Sequence, residues 1–86
     1  MRAKRVDENL AVVVEAARDL GFLVDVVNDD LCDLIVQLRG VTELWEVKTP
    51  KGTFTETQEK NRAKGWKIRT VRSVDDVISA RKQLGA

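Results

Sequence analysis

The segment Leu31–Lys48 (LCDLIVQLRGVTELWEVK) has the pattern of a β-hairpin, because two apolar runs rich in β-branched residues surround a central glycine. The first strand carries an acid, Asp33, and the second strand carries an acid and a base two residues apart, Glu46 and Lys48. Side chains alternate between the two faces of a strand, and Glu46 and Lys48 therefore share one face. Any fold of this chain has to accommodate these charges between the apolar residues of the hairpin.

The length of the turn decides whether Asp33 lies on the same face as the other two charges. A two-residue loop at Arg39-Gly40 sets Asp33 opposite Glu46, and a loop at Gly40-Val41 sets it opposite Lys48. An odd-length loop without a bulge places Asp33 on the other face. The register of the hairpin is therefore the sharpest structural test of a site built on these residues.

The chain of 86 residues, with 43% hydrophobic and 34% charged residues, is predicted to form one globular domain (1–86) with a modest core. It contains no repeat, linker or low-complexity segment that would mark a domain boundary. No apolar run approaches the ~20 residues needed to span a bilayer. We therefore expect a cytoplasmic protein without a membrane partner.

Missing residue types exclude several kinds of active site. The chain has no histidine, no tyrosine and one cysteine. A Ser-His-Asp triad, a tyrosine nucleophile, an intrachain disulfide and a Cys/His zinc site are therefore all ruled out. Carboxylate chemistry with a hard cation such as Mg²⁺ or Mn²⁺ remains.

Hydrophobic periodicity and turn residues predict an α/β fold, with a mixed sheet flanked by helices, in the order α-β-β-β-α-β-α. Outside the hairpin, the predicted elements are a helix over Val6–Leu20, a strand over Phe22–Val27, a helix from Thr55 to Gly65, a strand over Trp66–Val71 and a helix over residues 73–84. The apolar stripe of the last helix is predicted to consist of Val74, Val77, Ile78 and Leu84.

Positive charge is concentrated in residues 48–72, which contain eight Lys and Arg but only two acids. A local patch of this kind attracts phosphate backbones, whereas the alternative is a solvated face on a short helix and an edge strand. The candidate DNA-binding residues in this segment are Lys51, Lys60, Arg62, Lys64 and Lys67.

The hairpin charges suit metal-assisted phosphodiester hydrolysis. Asp33 and Glu46 can share a divalent cation, because opposed residues on adjacent strands have Cβ atoms ~4.5–5.5 Å apart. Lys48 can hold or help to deprotonate an attacking water and offset charge on a phosphate. The alternative is an exposed cross-strand ion pair of little energetic consequence.

The spacing of these residues resembles that of the PD-(D/E)xK nuclease superfamily, because Asp33 is followed by twelve residues and then Glu46-Val47-Lys48 in an α-β-β-β-α-β order. Within the superfamily, the chain resembles the small stand-alone phage and bacterial form of the virus-type replication-repair nucleases (VRR-NUC). The matching pieces extend along nearly the whole chain: Asp7-Glu8-Asn9, Cys32 to Val36, Trp45 to Lys48, Thr55-x-x-Gln58 and Val71 to Asp76.

This resemblance implies a PD-(D/E)xK restriction-endonuclease-like core, a Mg²⁺ or Mn²⁺ site and a catalytic lysine, Lys48. The implied metal ligands are Asp33, Glu46, Asp7 and the backbone carbonyl of Val47. Asp7 matches an acid that often completes the metal shell, and its alternative role is to interact with the dipole of the first helix. Gln58 matches a glutamine that lies near the site in many relatives, and its alternative role is that of a capping-box partner only.

Two residues depart from the family pattern. Cys32 stands where a proline usually precedes the first acid, which removes a rigid φ angle but no ligand. We expect Cys32 to be a buried apolar residue. Leu10 replaces a glutamine often found after the asparagine of the first helix, and this weakens the match there.

The two tryptophans are predicted to be structural. Trp45 points away from the face that carries Glu46, and we expect it to pack under a helix or at a subunit contact. For Trp66, a place in the core or an interface is favoured over stacking on a base or wedging into a junction.

The implied function is that of a metal-dependent DNA endonuclease in a bacterial cell or phage-infected host. Stand-alone members of this group resemble Holliday-junction resolvases, which cut two opposed strands and therefore act as homodimers. Branched or four-way junction DNA is thus the expected partner. The alternatives are a non-catalytic DNA-binding or assembly module with the same fold, and a flap or restriction-like nuclease.

Overall fold

The computed structural model describes residues 8–85, so that the predicted start of the first helix at Val6 lies outside the described residues. The described elements follow the order α-β-β-β-α-β-α, which confirms the predicted order. They are α1 (Glu8–Asp19), β1 (Leu23–Val26), β2 (Leu34–Leu38), β3 (Val41–Val47), α2 (Glu56–Ala63), β4 (Ile68–Val71) and α3 (Val74–Gly85).

The four strands form one mixed sheet in the spatial order β1-β2-β3-β4. β1 pairs with β2, and β2 with β3, in antiparallel orientation, whereas β3 and β4 are parallel. A parallel pair requires a crossover connection, and α2 lies within the segment that joins β3 to β4. The predicted α/β architecture with a mixed sheet is therefore confirmed.

The hydrophobic core lies on one face of the sheet, beneath α1 and α3. Helix α1 buries Leu10, Val13, Val14 and Ala17, the positions that its 3.6-residue spacing predicts to face inward. Trp45 is fully buried at the centre of the sheet and meets Phe22 edge to face, with 5.0 Å between the ring centroids. The prediction that Trp45 packs under a helix, away from Glu46, is confirmed.

Helix α3 buries a narrower stripe than its sequence suggests. Val77 and Ala80 are completely buried and Leu84 packs against the core, whereas Val74 and Ile78 remain exposed. The inward stripe therefore runs through positions 77, 80 and 84, because the small Ala80 faces α1 and the core. The assignment of Val74 and Ile78 to this stripe is wrong, since these residues lie on its flanks.

Residues 8–85 cover only part of the opposite face of the sheet, where Glu46 and Ile68 are buried. Helix α2 buries none of its residues, and it is joined to this face through Arg62, whose Nη2 donates to Thr70 Oγ1 at 2.8 Å. Beyond α2, Leu23 and Trp66 are 68% and 51% exposed. Trp66 is therefore not a core residue among residues 8–85, and strand β4 begins two residues after it.

Within residues 8–85, no helix combines the length and apolar character needed to cross a membrane.

Candidate active site

The hairpin turn settles the register that the sequence leaves open. Leu38 pairs with Val41, so that Arg39 and Gly40 form a two-residue loop with φ angles of 51° and 81°. Two successive left-handed residues are typical of a type I′ turn, whose twist matches that of the strands. The Arg39-Gly40 alternative is the one adopted.

Asp33 immediately precedes β2, and the register of this strand pair extends to place it opposite Glu46. Its own backbone is irregular, because its N–H donates to the carbonyl of Trp45 at 3.0 Å while its carbonyl accepts two N–H groups from the segment after β1. Its carboxylate Oδ2 accepts a 2.8 Å hydrogen bond from the N–H of Val47. The Asp33 side chain is therefore held at the end of β3.

Glu46 is the one buried charged residue of the described core, with 1% of its surface exposed. It lies on the face opposite Trp45, and its Oε2 has no hydrogen-bond partner among residues 8–85. Burial raises the pKa of the Glu46 carboxyl, an effect that the charge of Lys48 opposes and the charge of Asp33 reinforces. A buried carboxylate without a partner is costly, and the site is therefore one that a ligand would stabilise.

Lys48 continues the line of β3, because its N–H donates to the carbonyl of Val71 at 3.0 Å. Its carbonyl accepts a 2.8 Å hydrogen bond from Asn9 Nδ2, which ties the start of α1 to the end of β3. The Lys48 charge also lowers the pKa of Glu46. Together with the placement of Asp33, these contacts bring Asp33, Glu46 and Lys48 to one end of the sheet.

The acid expected from the first helix, Asp7, lies outside the described residues, and its role stays a prediction. The start of α1 does lie beside the site, since Asn9 contacts Lys48. Glu8 is exposed and lines a groove with Asn9, Val12 and the loop residues Thr49 and Pro50. Side chains at the start of α1 therefore border the same end of the sheet.

Gln58 forms the capping box that was its alternative role. Its Oε1 accepts the N–H of Thr55 at 2.8 Å, while the N–H of Gln58 donates to Thr55 Oγ1 at 3.2 Å. The described residues show no hydrogen bond from its side chain to Asp33, Glu46 or Lys48. The capping role is confirmed, and the catalytic role stays a prediction.

The Lys and Arg side chains of residues 48–72 (the basic segment) are of two kinds: some are exposed with few contacts, and others are fixed by contacts with the fold. Among the exposed side chains, Lys60 makes only an exposed 3.2 Å pair with Glu56, a type of contact worth little. Arg62 is different, because it bonds to Thr70 and its guanidinium lies 4.4 Å from the centroid of the Phe54 ring. The exposed candidates for DNA binding are Lys51, Lys60, Lys64 and Lys67.

Two further residues, Arg72 and Asn9, organise the site, and neither has a role in the sequence-based prediction. Arg72 Nη1 donates to the carbonyls of Thr49 and Gly52 at 2.8 and 2.7 Å, and it thereby clamps the loop that follows Lys48. Asn9 anchors α1 at the carbonyl of Lys48. Local sequence carries no signal for the Arg72 clamp, because its partners lie 20 or more positions away and are main-chain atoms.

The donor atoms fit a hard divalent cation in kind, though the described set is incomplete. Asp33 and Glu46 supply carboxylate oxygens, and the buried, unpartnered Glu46 Oε2 is an atom that such a cation would satisfy. Within residues 8–85, however, no three His, Cys, Asp or Glu side chains converge as a metal-binding group. The other two implied ligands, the backbone carbonyl of Val47 and Asp7, stay predictions, and Asp7 lies outside this range.

Cys32 does not extend the donor set. It is buried, and burial, followed by the charges of Asp29, Asp33 and Glu46, raises the pKa of its thiol to about 11. Since the thiolate is the nucleophilic and metal-binding form, Cys32 is a neutral packing residue at pH 7. This agrees with the expectation of a small apolar role.

Comparisons of this chain with protein-family models, with curated proteins and with solved structures find no match.

Proposed function

We propose that this protein is a divalent-metal-dependent endonuclease that hydrolyses phosphodiester bonds in branched DNA. The observation that carries the proposal is the buried Glu46 carboxylate, whose Oε2 has no partner, close to Asp33 and Lys48. Burying an ionised carboxylate costs free energy, and a ligand that completes its environment offsets this cost. A hard cation that also contacts a phosphate oxygen is such a ligand.

The proposed roles follow from the position of each side chain. Asp33 and Glu46 hold the cation, and the N–H of Val47 orients the Asp33 carboxylate through its 2.8 Å hydrogen bond. When bound, Mg²⁺ or Mn²⁺ supplies Lewis acidity and lowers the pKa of a coordinated water. Lys48 positions the attacking water and offsets the negative charge that develops on the phosphate.

The DNA backbone is bound by the exposed lysines that follow the hairpin. Lys51, Lys60, Lys64 and Lys67 are all solvent-exposed, which leaves their ammonium groups available for phosphates. Binding by such contacts weakens as the salt concentration rises, because each neutralised phosphate releases counterions. The location that fits this function is the cytoplasm of a bacterial cell or a phage-infected host.

A homodimer is the proposed active form. One small domain offers one candidate site, whereas resolving a four-way junction requires cuts in two opposed strands. A two-fold symmetric dimer presents two equivalent sites and doubles the positive surface. The resemblance to stand-alone virus-type replication-repair nucleases supports the same assembly.

The test is cleavage of end-labelled four-way junction, flap, nicked and linear duplex DNA, with Mg²⁺, Mn²⁺ or EDTA. We expect metal-dependent cleavage of the junction by the wild type and its loss in Lys48→Ala, with an unchanged circular dichroism spectrum. A folded wild type that leaves every substrate intact with both metals would overturn the enzyme proposal.

The other outcomes of this assay identify the competing functions. Preferred cleavage of flaps or linear duplexes would indicate a flap or restriction-like nuclease. Binding without cleavage, together with an Asp33→Asn variant whose DNA affinity is unchanged or increased, would indicate a non-catalytic DNA-binding module. Sedimentation of the protein with and without junction DNA measures whether the active species is a dimer.

A further inference from the structure

Arg62, at the end of α2, lies on the same face of the sheet as Glu46. Its Nη2 donates to Thr70 Oγ1 at 2.8 Å, and Thr70 is the β4 residue that pairs with Glu46 of β3. Paired residues on adjacent strands point to the same face. The positive charge of Arg62 is also close enough to lower the pKa of Glu46. A guanidinium is therefore positioned at the candidate site.

The guanidinium is held in place before any ligand binds. It lies 4.4 Å from the centroid of the Phe54 ring, in cation–π range, and the Thr70 hydrogen bond fixes one edge of its plane. Flexible lysines lose side-chain entropy when they bind a phosphate, whereas Arg62 is already ordered. Arg62 therefore differs from the exposed lysines of the basic segment.

Most of the hydrogen-bonding capacity of Arg62 is unused. A guanidinium carries five N–H donors, and the contact with Thr70 is its only hydrogen bond to residues 8–85. Its Nε is buried and has no partner within the described chain. A buried donor in this state destabilises the fold, and an acceptor oxygen from a ligand would remove that cost.

Glu46 does not supply this acceptor. Both Glu46 Oε2 and Arg62 Nε lack partners among residues 8–85, although both groups lie on the same face, and they form no ion pair within 4.0 Å. Each group thus needs a different complement: a cation for the carboxylate and an anionic oxygen for the guanidinium. A metal-associated phosphodiester provides both at once.

We infer that Arg62 binds a non-bridging oxygen of the scissile phosphodiester, next to the cation held by Asp33 and Glu46. This assignment rests on the proposed nuclease function, and it adds a substrate-binding residue at the reacting phosphate. Arg62 stabilises the charge that develops there, whereas the exposed lysines bind phosphates elsewhere along the backbone. The competing role is that of a structural counter-charge to Glu46 that never touches DNA.

The first experiment measures single-turnover cleavage of junction DNA at saturating enzyme. We expect Arg62→Gln and Arg62→Lys to slow cleavage by about 10²–10³-fold, the usual cost of removing one preorganised donor from a developing charge. Arg62→Lys keeps the charge and the aliphatic stem but loses the planar fork. The control is Arg81→Gln on α3, an exposed arginine with a single main-chain hydrogen bond, and it should cleave like the wild type.

The second experiment separates contact with the phosphate from a structural role. In a Lys48→Ala background, binding is measured for DNA with either the natural phosphate or a neutral methylphosphonate at the mapped cleavage position. We expect the methylphosphonate to weaken binding when Arg62 is present and to have little effect in Arg62→Gln, because the two changes remove the same contact.

The outcomes separate a failure of the proposed nuclease function from a failure of the role assigned to Arg62. A wild type that cleaves nothing overturns the proposed function itself. An active wild type whose Arg62 variants are folded and cleave at the wild-type rate overturns only the assignment of Arg62. The same conclusion follows if the methylphosphonate weakens binding equally with and without the Arg62 side chain.

Discussion

Two glutamates of β3, three positions apart, have opposite environments. Glu43 faces α3 and is fully matched, because Arg69 donates to both of its oxygens at 2.7 and 3.0 Å and Trp45 Nε1 donates at 2.9 Å. Glu46 faces the other side of the sheet and is more deeply buried, yet its Oε2 has no partner among residues 8–85.

The difference shows how a fold turns one residue type into either a structural or a reactive group. The hydrogen bond from Arg69 lowers the pKa of Glu43, whereas burial raises the pKa of Glu46. Glu43 already has its complement and offers little to a cation. Glu46 lacks one, and it is therefore the glutamate expected to bind a ligand.

The largest expected difference between the two glutamates is in DNA cleavage after each is neutralised. Glu46→Gln should reduce the single-turnover rate by more than the ~100-fold that loss of an outer-shell partner costs at metal sites. Glu43→Gln should leave the rate within a few-fold of the wild type at a temperature where both variants are folded. Equal losses in the two variants would refute the assignment of Glu46 as a ligand.

The next prediction concerns stability, to which Glu43 is expected to contribute more than Glu46. Glu43→Ala should lower the free energy of unfolding by about 1–3 kcal/mol, because it leaves the partly buried Arg69 with only its hydrogen bond to Gln83. Urea denaturation monitored by tryptophan fluorescence measures the change. An Arg69→Ala, Glu43→Ala double variant that loses less than the sum of the single changes would verify the coupling.

Glu46→Gln, in contrast, should stabilise the metal-free protein at neutral pH by about 1 kcal/mol, since it removes a buried charge that lacks a full set of hydrogen bonds. Addition of Mg²⁺ or Mn²⁺ should raise the melting temperature of the wild type and not that of the variant. A variant that is less stable than the metal-free wild type would show that the Glu46 charge is satisfied in the fold.

The smallest effect concerns the pH dependence of stability. The folded-state pKa of Glu46 lies above its ordinary value of 4.5, which means that its ionised form destabilises the fold and that this penalty is relieved as the pH falls through the folded pKa. The folded-state pKa of Glu43 lies below 4.5, and its contribution is present above 4.5 and lost as the pH falls through the folded pKa.

The free energy of unfolding of the metal-free protein is therefore expected to gain a contribution from Glu46 before it loses one from Glu43 during acidification. Urea titrations between about pH 8 and pH 3 measure both changes. Glu46→Gln should remove the gain, and Glu43→Gln should remove part of the later loss. A Glu46→Gln profile that follows the wild type throughout would contradict the raised pKa.

Much of the fold could be predicted because the signals are local. Period-3.6 spacing selected the buried positions of α1, and the alternation of a strand placed Trp45 and Glu46 on opposite faces. Thr55 and Gln58 form the capping box that their spacing predicts. Each of these features depends on residues within one or two turns of one another, and neighbouring side chains are enough to determine it.

The local sequence predicts the hairpin turn only in part. Gly40 marks the turn in the sequence, but it leaves two even-length loops open. The two loops differ by a shift of two residues, which keeps every side chain on its own face, so the alternation of the strands does not choose between them. In the structure, Arg39 and Gly40 form the turn, and Leu34 pairs with Trp45. This register also sets Asp33 opposite Glu46.

The order of the elements, the alternation of side chains along each strand and the residue types available for chemistry can thus be predicted from local sequence. Which of the charged residues have partners depends on contacts between distant parts of the chain. Arg69 reaches Glu43 across 26 positions and Arg72 reaches the loop after Lys48, while Glu46 is left without a full complement. The sequence shows which charged residues are present, but contacts between distant segments determine which of them remain available to bind a ligand.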